Sequence, residues 1–281
     1  MSNGFPARLH VLLARESSKA VVIRRGPSKK VGLFGWDRKT DKITTGQWLK
    51  GRIYEFRCDL SPDGKYMIYF AMNGRWDDPV SLGSWTAISR APYLKALTFI
   101  PWGDCWNGGG LFNDNKTYWL NRGCTEINKV RDHWEISEKH DQQSDGNTRS
   151  ECPDIYYRRL QRDGWLEIGR EGDPADWRTP HVTFFEKDLW AHWKIRKSAI
   201  ADINQPIGRG TYRDEHVLVS QSNEEVPCLD WEWAEQDGKN IIYASEGKLW
   251  RQKINSQAKL AEPKLIHDFN KENFEAIEAP Y

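Results

Sequence analysis

Cys58-Asp59-Leu60-Ser61-Pro62-Asp63-Gly64-Lys65-Tyr66-Met67-Ile68-Tyr69-Phe70-Ala71 is a turn set between two strand-like segments. Asp63-Gly64 supplies the positive φ angles of a hairpin turn, and the aromatic and apolar run after it has the composition of a strand. The same arrangement returns in Leu229-Asp230-Trp231-Glu232-Trp233-Ala234-Glu235-Gln236-Asp237-Gly238-Lys239-Asn240-Ile241-Ile242-Tyr243-Ala244. Two such passages make an internal repeat, the mark of an architecture assembled from like units.

Alternation of apolar and polar residues extends outward from both passages. Tyr54, Phe56, Cys58 and Leu60 alternate with Glu55, Arg57 and Asp59, the period of a half-buried strand. Further strands are expected at 9–14, 20–25, 30–36, 66–72, 84–89, 95–100, 118–121, 155–160, 182–185, 190–195, 216–220, 240–245, 249–254 and 265–269. Residues 227–269 read as one whole blade, with its middle turn at Glu246-Gly247-Lys248, and residues 9–48 as another. Gly64 and Gly238 lie 174 positions apart, about four blades at roughly 40–45 residues each. The expectation is an all-β chain in which residues 1–281 form a single β-propeller of five or six four-stranded blades. Strands from both termini are expected to close it, and residues 125–153 to be a long polar insertion.

The passage Leu60–Phe70, with Ser61-Pro62-Asp63-Gly64-Lys65 before a short apolar strand, resembles the TolB-like propeller repeat, a relative of the WD-type repeat. At 235–244 the likeness is weaker, because Glu235-Gln236 stands in place of Ser-Pro. The resemblance implies a β-propeller and usually a binding role. Propellers host many functions, so the fold alone names none.

Composition removes several classes. Forty-one Lys+Arg against 40 Asp+Glu leave a net charge of +1, which gives no global field for nucleic acid or an anionic membrane. The longest apolar runs fall far short of the ~20 residues of a membrane span. The start, Met-Ser-Asn-Gly-Phe-Pro-Ala-Arg, lacks the pattern of a signal peptide. Cys58, Cys105, Cys124, Cys152 and Cys228 are odd in number and form no C-x-x-C pair, as expected of a protein in the reducing cytoplasm. Neither a metal nor a cofactor is called for. The histidines form no ligand motif, although His181 and His192, placed on neighbouring strands, could meet. There is no nucleophile elbow, and Ser245-x-x-Lys248 falls in a hairpin turn.

Two sets of residues remain. Asp59 and Asp230, which the repeat makes equivalent, and Asp104 are the candidate acids of a carbohydrate-active hydrolase built around a central channel. The other set is aromatic. Fifteen tryptophans are the most unusual feature of the sequence. Trp231, Trp233 and Trp250 read as core, whereas Arg75, Trp76, Trp102, Asp104, Trp106, Trp177 and Arg178 fall in loops. Tryptophan and arginine dominate binding hot spots, because a rigid ring buries much area at little entropic cost. The leading expectation is therefore a non-enzymatic protein-binding propeller, a scaffold or an inhibitor or immunity-type protein, that holds a protein partner on these loops. Membrane and nucleic acid are not expected partners.

Overall fold

The computed structural model describes residues 5–26, 29–122, 128–139, 152–173, 176, 178–206, 210–255 and 257–281. Its strands form five sheets, the blades of a five-bladed all-β propeller, with a single α-helix among the described residues. Blade 1 is β1 (Arg8–Leu13), β2 (Lys19–Arg25), β3 (Lys30–Asp37) and β4 (Lys42–Lys50). Blade 2 is β5 (Arg52–Ile53), β6 (Asp59–Leu60), β7 (Tyr66–Met72), β8 (Ser84–Arg90) and β9 (Ala96–Pro101). Blade 3 is β10 (Gly110–Phe112), β11 (Thr117–Leu120) and the short parallel strand β12 (Ser137–Glu138). Helix α1 (Cys152–Arg162) follows. Blade 4 is β13 (Leu166–Glu171), β14 (His181–Asp188), β15 (Lys194–Ala201), β16 (Tyr212–Val219) and β17 (Glu225–Cys228). Blade 5 is β18 (Trp231–Asp237), β19 (Asn240–Ser245), β20 (Lys248–Lys253) and β21 (Lys264–Asp268). Each sheet uses strands that follow one another in sequence, so the expected closure by strands from both termini is not found among the described residues.

The chain divides into two compact units, residues 1–10 with 160–272 and residues 11–159 with 273–281. In the second unit, blade 2 is covered on both faces. Met67, Tyr69 and Ala71 pack with Leu12, Val21, Ile23 and Leu33 of blade 1. Tyr66 and Ile68, on the opposite face of the pleat, pack with Phe112, Tyr118 and Leu120 of blade 3. A strand buried on both sides reads as a continuous apolar run, which is why Tyr66–Met72 shows no alternation. Each of the large apolar side chains among them contributes about 1.5–3 kcal/mol by its removal from water. In the first unit the core of blade 5 is aromatic. The rings of Trp231 and Tyr243 stack at 3.8 Å, and Trp250 lies beyond them at 6.5 Å from Tyr243.

Several expectations are corrected. Glu55–Arg57 is a 3-10 turn with all three residues buried, not part of a half-buried strand. Its charges tolerate burial because each has a partner: Glu55 pairs with Arg25, and Arg57 donates to the carbonyl of Asn107 at 3.2 Å. Residues 155–160 lie in α1, not in a strand. Ile155, Tyr156, Arg159 and Leu160 fall on one buried helical face, and Arg159 caps the carbonyls of Glu55 and Cys58. Residues 190–192 form a 3-10 turn, and the strand begins only at Lys194. Gly64 and Gly238 belong to the second and fifth blades, so their 174 positions span three blade steps rather than four. His181 pairs with Ala201, whereas His192 lies beyond the opposite end of the β14–β15 ladder, where Asp188 pairs with Lys194. Roughly 20 Å of strand separates the two histidines, and they cannot share a ligand. Of residues 125–153, Val130 and Arg131 meet β9, with Phe99 N–H donating to the Arg131 carbonyl at 2.9 Å, residues 137–138 pair with β11, and residues 152–153 open α1. Residues 125–127 and 140–151 lie outside the described residues.

Candidate functional site

β7 and β9 both run antiparallel to β8, so the segments that follow them leave blade 2 at the same end. These segments, 73–83 and 102–109, carry Arg75, Trp76, Trp102, Asp104 and Trp106. Their own hydrogen bonds fix the first loop. Asn73 Oδ1 accepts from the Arg75 N–H at 2.9 Å. The Asp78 carboxylate accepts from Val80 N–H at 3.0 Å and Ser81 Oγ at 2.7 Å, and its backbone carbonyl accepts from Leu82 N–H. The Ser81 and Val80 bonds hold Asp78 below the usual carboxylate range. The Trp76 ring lies over Gly83, at φ +84°, where a Cβ would overlap it. Leu82, at φ +49°, is held in the left-handed region and lies against Gly103.

The second loop is held in the same way. The Asp104 carboxylate accepts from the N–H groups of Trp106 and Asn107, each at 2.8 Å, and from Asn107 Nδ2 at 2.9 Å. Below the loop, Arg57 stacks its guanidinium 4.7 Å from the Phe70 ring centroid. Trp102 turns inward. Its Nε1 donates to Thr86 Oγ1 at 2.8 Å, and its ring packs against the core shared by blades 2 and 3. Trp76 (51% exposed) and Trp106 (57%) face solvent, joined by exposed Val80 and Leu82. Asx-type turns thus present four large apolar side chains on loops that are already ordered. Val80, Leu82 and Asp78 were not singled out from the sequence. The available signal was the Asn73-x-Arg75 and Asp78-x-Val80 spacing of side chains that cap their own backbone.

The remaining candidates lie elsewhere. Arg178 is exposed in the β13–β14 loop of the other unit, and Trp177 lies outside the described residues. Asp59 is buried and accepts from Phe112 N–H at 2.8 Å. Asp230 is exposed and accepts from Ser245 Oγ at 2.7 Å. The hairpin registers do not make these two equivalent. Asp59 opposes Ile68, four residues past Gly64, and the residue opposing Ile242, four past Gly238, is Glu235. Glu235 accepts from Lys187 Nζ at 2.7 Å and Trp165 Nε1 at 2.9 Å. Each of these carboxylates accepts hydrogen bonds from the surrounding fold.

Two titratable clusters were not found from the sequence. Glu135 accepts from Lys65 at 2.9 Å and from the Tyr66 hydroxyl, and these bonds, Tyr66 first, pull its pKa down to about 2. In the other unit, Lys197 and Asp214, both 1% exposed, pair at 2.8 Å on neighbouring strands beside buried His216. Compared with known proteins, the chain matches no family model and no curated sequence.

Proposed function

We propose that this chain is a non-enzymatic β-propeller that binds a protein partner through the loops at one end of blade 2. One observation carries the reading: Trp76, Val80, Leu82 and Trp106 are exposed together on loops that Asp78 and Asp104 hold in place. Rigid aromatic anchors lose little entropy on docking, and a ready-formed surface avoids the cost of ordering a loop. Arg75 stands beside Trp76 as the rim charge. The repeat is of the TolB-like or WD-type kind, a reading supported by the Ser61–Lys65 turn and the apolar strand after it. The protein works in the cytoplasm as a scaffold or as an inhibitor or immunity-type protein. Its described cysteines, all free thiols, suit a reducing compartment.

The test is quantitative capture from the native lysate by the unaltered chain and by a Trp76→Ala/Trp106→Ala variant. One stoichiometric protein should be retained by the first and lost by the second, while the melting temperature moves by less than ~2 °C. Trp102→Ala is the control in the other direction: it should lower the melting temperature by several degrees, since it empties a packed site. Equal capture by both chains would refute the proposal.

A further inference from the structure

The segment Asn273–Tyr281 belongs to the same compact unit as blades 1 and 2. It forms no strand, yet it is held at intervals along its length. Phe274, Ile277, Ala279 and Tyr281 are half-buried, while Glu275, Ala276, Glu278 and Pro280 are exposed. Phe274 meets Trp48 edge-on, with ring centroids 6.2 Å apart, and takes two ammonium groups on its ring, Lys30 at 4.7 Å and Lys50 at 5.3 Å. At the middle, Gln47 Nε2 donates to the Ile277 carbonyl at 2.8 Å, while its Oε1 accepts from Leu94 N–H at 2.7 Å. At the far end the Tyr281 hydroxyl accepts from Arg90 N–H at 3.0 Å and donates to the Lys95 carbonyl at 2.8 Å. The Arg90 guanidinium covers its ring at 5.0 Å, and the Lys95 side chain donates to its backbone carbonyl.

These contacts have the character of peptide recognition. Two aromatic anchors seven positions apart enter sites ringed by four cations, one backbone carbonyl between them is read by a side-chain amide, and two glutamates point outward. Cations over aromatic rings are held by attraction to the ring's negative face. None of the contacts extends a β-ladder. The segment can therefore leave without breaking a sheet, which distinguishes it from every strand in the unit.

We infer that the face formed by Lys30, Trp48 and Lys50 of blade 1 and Arg90 and Lys95 of blade 2 is a peptide-binding groove that the chain fills with its own segment 273–281. Its partner is a protein carrying an extended acidic stretch with two aromatic residues at this spacing. Such a stretch binds by displacing the resident segment. The groove is separate from the loops of the proposed partner surface, and the two can be tested independently.

The probe is a fluorescent peptide of residues 273–281, titrated into the unaltered chain and into a Phe274→Ala/Tyr281→Ala variant. A tethered segment acts at millimolar effective concentration, so the intact chain should bind the peptide weakly. The variant should bind it at least tenfold more tightly. Adding Lys50→Glu and Lys95→Glu to the variant should reverse that gain, and a peptide with alanine at both aromatic positions should not bind. Equal affinity for the two chains, or equal binding of the alanine peptide, would overturn the inference. Should the double variant fail to fold, amide exchange of residues 273–281 in the unaltered chain supplies the answer. Millimolar peptide must speed that exchange, and no acceleration also overturns the inference. A dimer of the unaltered chain that the peptide dissociates would place a second copy in the groove and overturn it as well.

Discussion

The hairpins β6–β7 and β18–β19 share an Asp-Gly turn but differ in register, and they stand on different supports. The blade 2 hairpin lies between two apolar layers, with β7 buried on both faces. Its acidic residue, Asp59, is tied to one backbone N–H. The blade 5 hairpin is also buried, with Trp231, Trp233, Ile241 and Ile242 in its core, but polar contacts are added to that burial. Glu235 joins Lys187 and Trp165, and the backbone carbonyl of Trp231 accepts from His216 Nδ1 at 2.8 Å. One repeat unit can thus be stabilised by burial in one blade and by burial joined to polar contacts, one of them with a titrating histidine, in another.

Acid should separate the two supports most strongly. Because the Trp231 carbonyl can only accept, the His216 proton sits on Nδ1, and Nε2 is buried without a hydrogen-bond partner. Burial first and the Lys197 ammonium second push the His216 pKa from 6.5 down to about 3, with Asp214 opposing. The unfolded chain binds this proton below about pH 6.5, and the folded chain only near pH 3. In that window the unfolded state holds more protons, so stability falls as the pH falls. By pH 4.5 the loss from this one group is on the order of 2–3 kcal/mol. His216→Asn keeps a donor for Trp231 and cannot titrate. Urea melts of this variant should lose that share of the acid slope, and an unchanged slope would return blade 5 to the same footing as blade 2.

The acidic pair sharpens the contrast at neutral pH. Asp59→Ala leaves the Phe112 N–H without its acceptor in a dry site and should cost about 2–3 kcal/mol. Glu235→Ala breaks an ion pair whose side chains keep 15–19% exposure, so water can reach Lys187. Its cost should be about 1 kcal/mol. Denaturant midpoints of the two variants measure the difference directly, and equal losses would show that Glu235 is as dry as Asp59.

Much of this fold was legible in the sequence, for reasons the two hairpins illustrate. Turn chemistry is local, so Asp63-Gly64 and Asp237-Gly238 marked their hairpins in blades 2 and 5, and the strands beside them followed. What escaped was set by tertiary partners. Glu55, Arg57 and Asp59 alternate with apolar residues as outward-facing positions would, but they are buried beside Arg25, the Asn107 carbonyl and the Phe112 N–H. Residues 155–160 have strand-like composition, yet the blade 2–3 core takes Ile155 and Tyr156 on a helical face. The loop tryptophans were visible by type and position but not by exposure. Trp102 and Trp106 are four residues apart; Thr86 draws the first ring inward, while the second, whose backbone N–H Asp104 holds, faces solvent.

The smallest effects come from the turns themselves, where the supports differ by a single neighbour. Gly64 (φ +72°) and Gly238 (φ +61°) both occupy the left-handed region, which costs an L-residue about 1–2 kcal/mol. At Gly238 an added Cβ meets nothing within 4 Å, so Gly238→Ala should cost about 1 kcal/mol. At Gly64 the Cβ would come 2.7 Å from Lys19 Cβ and 3.2 Å from Ala14 Cβ, both in blade 1. Neither neighbour is the far end of a flexible chain, so overlap adds to the backbone strain and Gly64→Ala should cost about 2 kcal/mol. Asparagine tolerates this backbone region, so Gly238→Asn should be nearly neutral, while Gly64→Asn keeps the clash and should stay destabilising. Chemical denaturation of the four variants separates strain from packing. If the asparagine variants match, the difference between the turns is conformational and blade 1 does not press on the Ser61–Tyr66 loop.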